Sequence, residues 1–166
     1  MYYLTLFMIF SILGFLFENV IAIFMAETAN SGILYGPWTP IFGIGILIIL
    51  LIGKIVSNLK LNKKTEIFLF FVAATIMLTL IEFIAGHLIE RFLDESYWDY
   101  SKLPLNIGKY ISVEISLFWG LLATLINYYI YPKLKNLLKQ IPNKITICLT
   151  FLFIVDIIIK FINSVG

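Results

Sequence analysis

Four carboxylates, Glu18, Glu82, Glu114 and Asp156, stand inside long hydrophobic runs that hold almost no basic residue to neutralise them. A charged side chain near a bilayer centre costs at least ~2.5 to 3.5 kcal/mol, so such groups face a partner, a cavity or a ligand. Asp156 has Lys160 at i+4, the favourable acid-then-base order, which predicts a local ion pair. Glu18, Glu82 and Glu114 lack such a base, and Arg91 and Lys109 lie near the boundary of the runs, within reach of only some of them. Three outcomes are open for these acids: protonation, binding of a metal or organic cation, or pairing with long basic side chains that reach inward. Protonation suits proton coupling, and cation binding suits a pocket for a metal ion or an amine.

Other chemistry is sparser. The string HLIE sets His87 and Glu90 at i and i+3, a spacing that can bring two metal ligands onto adjacent helix faces. With Glu82 and Glu18 added, a hard or borderline divalent cation is the cofactor to consider. Nucleophile elbows, an HExxH string and a Walker A loop are all missing from the sequence, which leans away from an enzyme and assigns any ATP hydrolysis to a separate subunit. The single Cys148 has no intrachain partner for a disulfide or a cysteine zinc cluster. A net charge of +2 is too small an electrostatic footprint for nucleic acid.

The elements that must position these acids follow from composition: 61% hydrophobic and 13% charged residues, with mean hydropathy +0.99. A spanning helix needs about 20 mainly apolar residues. Five stretches qualify, 3–25, 40–57, 66–91, 110–131 and 144–163, so the expected fold is all-α, a single integral membrane domain over 1–166 built as a polytopic helical bundle. The first stretch lacks a basic leader and a small-x-small cleavage site and reads as a retained helix. Lysines 54, 60, 63 and 64 crowd the second connection and lysines 133, 135, 139 and 144 the fourth, which places both inside the cell, with the N-terminus in and the C-terminus out. Each of these connections is only about a dozen residues long, a small surface for an ATPase to grip.

The other two connections face out. One, 27–39, carries no Lys or Arg; the other, 92–109, mixes Asp94, Glu95 and Asp99 with aromatics, and Trp38, Tyr97, Trp98 and Tyr100 fit an interfacial belt. Thr39 before Pro40 and Thr65 before Glu66 are the expected openings of the second and third helices, and Pro132 and Pro142 bracket a connection. Counting ~1.5 Å per residue from the outer ends puts the four acids about 6 to 13 Å deep, all in the outer half of the membrane. Ser11, Gly14, Glu18 and Ala22 form a stripe on the first helix, and Thr79, Glu82, Gly86 and Glu90 a complementary one on the third. On the fourth, Ser112, Ser116, Gly120, Ala123 and Asn127 share a face, with Glu114 opposite.

Four blocks in order, GFLFE, SGILYGPWTPIFGIG, IEFIAGHLIERF and YWDYSKLPLNIGKYISVEISLFWG, make residues 11–121 resemble the ABC-transporter type IV family, the CmpB-like permeases. The matching positions are Glu18, Gly36, Pro37, Pro40, Gly43, Glu82, Gly86, Glu90, Trp98, Asp99, Tyr100, Ser101, Pro104, Asn106, Ser116, Trp119 and Gly120. Asn30-Ser31-Gly32 stands where the family has Asn-Arg-Gly, and Thr39 where a Cys is common. The resemblance implies a small multi-pass protein of the bacterial plasma membrane, a permease-like component. The leading expectation is therefore a transport-associated protein with an outward-facing acidic pocket. Glu18, Glu82 and Glu114, with Glu90 and Asp99 nearby, draw a cation or amine, and Trp98, Tyr100 and Trp119 form walls. Two alternatives stand beside it: a metal-dependent intramembrane enzyme using His87, Glu90, Glu82 and Asp99, and a sensor or assembly partner. The expected partners are the lipid bilayer and a separate ATPase subunit or another membrane chain.

Overall fold

The computed structural model describes residues 1–24, 34–94 and 96–165. Expectations placed on residues 25–33, the Asn30-Ser31-Gly32 triplet among them, and on Glu95 lie outside the described residues. The elements are α1 (Tyr2–Phe24), α2 (Pro40–Asn58), α3 (Lys63–Leu93), β1 (Asn106–Ile107), β2 (Ile111–Ser112), α4 (Val113–Leu125), a π-helical turn (Ile126–Ile130), α5 (Tyr131–Lys139) and α6 (Asn143–Val165). Among the described residues five helical segments are long and apolar enough to cross a membrane, α4 through α5 counting as one. Large apolar side chains such as Phe68, Phe151 and Phe161 are about two-thirds exposed. An extended apolar surface of this kind is rare on a monomer in water and suits a hydrocarbon solvent.

Helix boundaries follow local chemistry. Pro40 opens α2, where its missing N–H costs nothing, and Thr39 supplies the carbonyl that Phe42 N–H reaches at 3.1 Å. The third helix starts earlier than its threonine suggested: Asn62 is the cap, accepting from Thr65 N and Thr65 Oγ1 at 3.0 Å each, so Thr65 is a donor inside the first turn. The fourth helix also differs from expectation. It begins at Val113, because Ile111 and Ser112 pair with Ile107 and Asn106 as a short antiparallel hairpin, and the helix runs through Pro132 to Lys139. A proline inside a helix removes one backbone bond and crowds the preceding turn. Here that turn is widened into the π-helical segment, which absorbs the disruption without ending the helix.

The chain divides into two compact units, Met1–Ile46 with Leu137–Gly166, and Leu47–Asn136. In the first, α1 packs on α6 through a buried hydroxyl pair, Thr5 Oγ1 to Thr146 Oγ1 at 2.8 Å, and the edge-on rings of Phe7 and Phe153. The small-residue stripe of α1 is occupied by the start of α2: Gly14 lies against Phe42, and Gly43 against Ser11 and Phe7. In the second unit, α3 lies along α4. A Cβ on Gly120 would sit 1.9 Å from Thr75 Oγ1, and one on Gly86 would sit 2.5 Å from the Tyr110 ring. These two contacts, with Phe70 against Tyr128, fix an antiparallel register in which residue numbers on α3 fall as those on α4 rise. Ser112, Ser116, Gly120 and Ala123 are buried along this seam, while Glu114 is exposed on the far side, as its helical phase predicted.

Candidate functional site

In the first unit, Asp156 of α6 is 8% exposed and surrounded by donors from the segment before α2. Its Oδ1 accepts from Tyr35 N at 3.2 Å, and its Oδ2 accepts from Gly36 N at 2.7 Å and Trp38 Nε1 at 2.6 Å. Gly36 is required here by space: a Cβ would fall 2.4 Å from the same indole nitrogen. The sequence pointed to Lys160 as the partner of Asp156; the structure adds three donors from the loop, and the Lys160 ammonium lies 5.7 Å from the Tyr35 ring centroid. Trp38, expected at the interface, is 5% exposed and sealed into this clasp. Glu18, half-buried on α1, accepts from Thr39 Oγ1 at 3.2 Å, and Thr39 N in turn bonds Ser11 O at 3.0 Å.

In the second unit, Glu82 on α3 is 7% exposed. Its Oε1 accepts the Tyr100 hydroxyl at 2.6 Å, and the Trp119 indole of α4 donates to the same carboxylate. Its Oε2 is buried without a hydrogen-bond partner among the described residues, as are Trp98 Nε1 and Ser112 Oγ. Tyr100 is held over α3 by its own backbone, which donates to Lys109 O at 2.8 Å and accepts from Leu103 N at 2.9 Å. One turn along, the Tyr110 ring fills the space over Gly86, with the His87 ring at 4.9 Å and the Trp98 ring at 6.0 Å. The antiparallel register brings Ser112 and Ser116 to the level of Glu82. Glu82 Oε2, Trp98 Nε1 and Ser112 Oγ are thus three buried polar atoms of the second unit without a hydrogen-bond partner among the described residues.

The remaining expected residues are placed as follows. Glu90 is salt-bridged to Lys109 of the hairpin, and His87 Nδ1 lies 2.9 Å from Phe83 O. Among the described residues no group of three or more His, Cys, Asp or Glu is arranged to hold a metal ion. Asp99 is exposed and closes a tight turn, accepting from Ser101 N at 2.8 Å and from the Ser101 hydroxyl, which together hold its carboxyl below the usual aspartate range. Glu90 lifts the Lys109 ammonium above the usual lysine range. Glu114 stands exposed in the first turn of α4.

Tyr110 and Ser112 were not singled out as site residues from sequence; the one available signal was Gly86, a gap on α3 that some large side chain had to fill. At the lysine-rich end of the same unit, Glu66 Oε1 accepts from Lys63 Nζ at 3.1 Å and Tyr128 Oη at 3.0 Å, and Lys63 lies 4.3 Å from the Tyr128 ring centroid.

Comparison with known proteins adds one match. A family model described as "Putative ABC-transporter type IV" matches residues 5–165, nearly the whole chain. No curated protein and no solved structure matches.

Proposed function

The chain belongs to the family described as "Putative ABC-transporter type IV", and on that premise we propose that it is a transport-associated membrane protein that binds an organic cation, an alkylammonium, at Glu82. One observation carries this reading: a 7% exposed carboxylate on a membrane-length helix keeps one oxygen without a hydrogen-bond partner. An ammonium N–H supplies the missing donor, and its positive charge supplies what no base among the described residues supplies. The rings of Tyr100, Trp98, Tyr110 and Trp119 favour an organic cation, since aromatic faces attract cations and a weakly hydrated one loses less water on burial. Membership of the family supports association with other transporter subunits, and ATP hydrolysis falls to such a partner because this sequence has no phosphate-binding loop.

The test is calorimetric titration of the purified protein with the series from methylammonium to tetramethylammonium. Glu82→Gln keeps the shape and removes the charge, and affinity for the best ligand is expected to fall at least about tenfold, the scale of a lost charge-assisted hydrogen bond. The exposed Glu114→Gln is expected to bind as the parent does. Equal affinity in the Glu82 variant, or no heat from any member of the series with the parent protein, sinks the proposal.

A further inference from the structure

An open groove of about 400 Å³ runs along α3 and α4 in the second unit, lined by Lys64, Ile67, Phe68, Phe71, Leu121 and Thr124. On α3 these residues fall at i, i+3, i+4 and i+7, one face over two turns, and on α4 they are spaced by three. The groove thus starts at a lysine in the first turn of α3 and descends roughly 10 Å along purely apolar side chains. Thr124 adds no polarity to the wall, since its hydroxyl donates to Gly120 O at 2.8 Å. The neighbouring Lys63 is engaged by Glu66 and Tyr128. Lys64 has neither a hydrogen bond nor an ion pair among the described residues.

We propose that this groove is a site for an anionic phospholipid, its phosphate at Lys64 and one acyl chain lying along Ile67, Phe68, Phe71 and Leu121. The argument is one of charge and polarity matched along a single axis. The occupant must carry an anion at one end and hydrocarbon along the rest, and the anion must lie where a membrane surface meets the start of α3. A transmembrane helix from a second copy would fill the apolar part and leave the lysine unanswered. An anionic lipid fills both, and a lysine at a membrane surface contributes about fivefold in preference for it. This site is independent of the ligand at Glu82.

The experiment is native mass spectrometry of the full chain in mild detergent, with phosphatidylglycerol and phosphatidylcholine of identical chains added in equal amounts. The parent protein is expected to retain phosphatidylglycerol about fivefold over phosphatidylcholine. Lys64→Gln should bring that ratio to about one. Leu121→Trp, which fills the groove from a lipid-facing position, should lower retention of both lipids. Glycerol phosphate without chains should not compete. Equal retention by the parent, an unchanged ratio in Lys64→Gln, or competition by chainless glycerol phosphate overturns the assignment. So does a dimer in the parent that Leu121→Trp abolishes, which would give the groove to a second copy.

Discussion

Asp156 and Glu82 are both buried carboxylates on membrane-length helices, and they differ in how many donors reach them. Asp156 receives three, two of them at 2.7 Å or less, so its charge is answered within the first unit and its role is to hold a loop. Glu82 takes donors from Tyr100 and Trp119 and keeps one oxygen without a partner among the described residues. Both acids were legible in the sequence because a carboxylate in an apolar run is anomalous on its own. Their donors were not: Tyr35, Gly36 and Trp38 lie about 120 positions from Asp156, and no local pattern encodes that meeting.

The ionic contact at Lys109 is also a residue-scale matter, and it carries a pH dependence. The folded Lys109 titrates above the ordinary lysine value because Glu90 holds its charged form. Its contribution is therefore complete below the unfolded value, near ~10.4, and is lost as pH rises through the higher folded one. For Asp99 the sign reverses: its value lies below the ordinary one, so its contribution is present above ~3.9 and is lost as pH falls through the folded value. Asp99 is exposed and Lys109 half-buried, and the segment between them should hold steady between about pH 5 and 10. An NMR titration of ¹³C-methylated lysines is expected to show Lys109 titrating later than the other loop lysines, and Glu90→Gln should bring it back among them. A Lys109 signal that titrates with the rest in the parent protein would contradict the pairing.

At the scale of elements, the helices were readable from hydropathy because a bilayer demands about 20 apolar residues and five runs supply them. The hairpin was not, since strands of two residues leave no alternation to detect. Pro132 misled for a related reason. A proline reads as a helix end, and only the widened turn before it lets the helix continue. The seam between α3 and α4 depends on Gly120, where a Cβ would meet Thr75 Oγ1 at 1.9 Å and Phe71 at 2.9 Å. Gly120→Ala is expected to cost about 1 to 3 kcal/mol, the usual scale of overpacking, and to lower the midpoint of thermal unfolding in detergent. Adding Thr75→Ala should restore part of the loss by removing the hydroxyl that the new methyl strikes. No recovery in the double variant would mean that the seam is not the seat of the damage.

For the whole molecule, the lysine-rich connections predict the direction of insertion, and the prediction is directly measurable. With Cys148 replaced by Ser, a single cysteine at Ser101 should react with a membrane-impermeant maleimide in intact cells. One at Lys60 should react only after permeabilisation, and the reverse pattern would invert the topology. The division into two units was not legible, because hydropathy counts spans and says nothing about which of them pair. That division has a consequence for biogenesis. The first unit is assembled from the two ends of the chain, and the second lies wholly between them, so a ribosome finishes one before it can supply the other. Until α6 emerges, the Tyr35 and Gly36 amides and the Trp38 indole have no carboxylate to receive them. A nascent chain stalled before Asp156 thus leaves three donors without the acceptor that the folded first unit gives them.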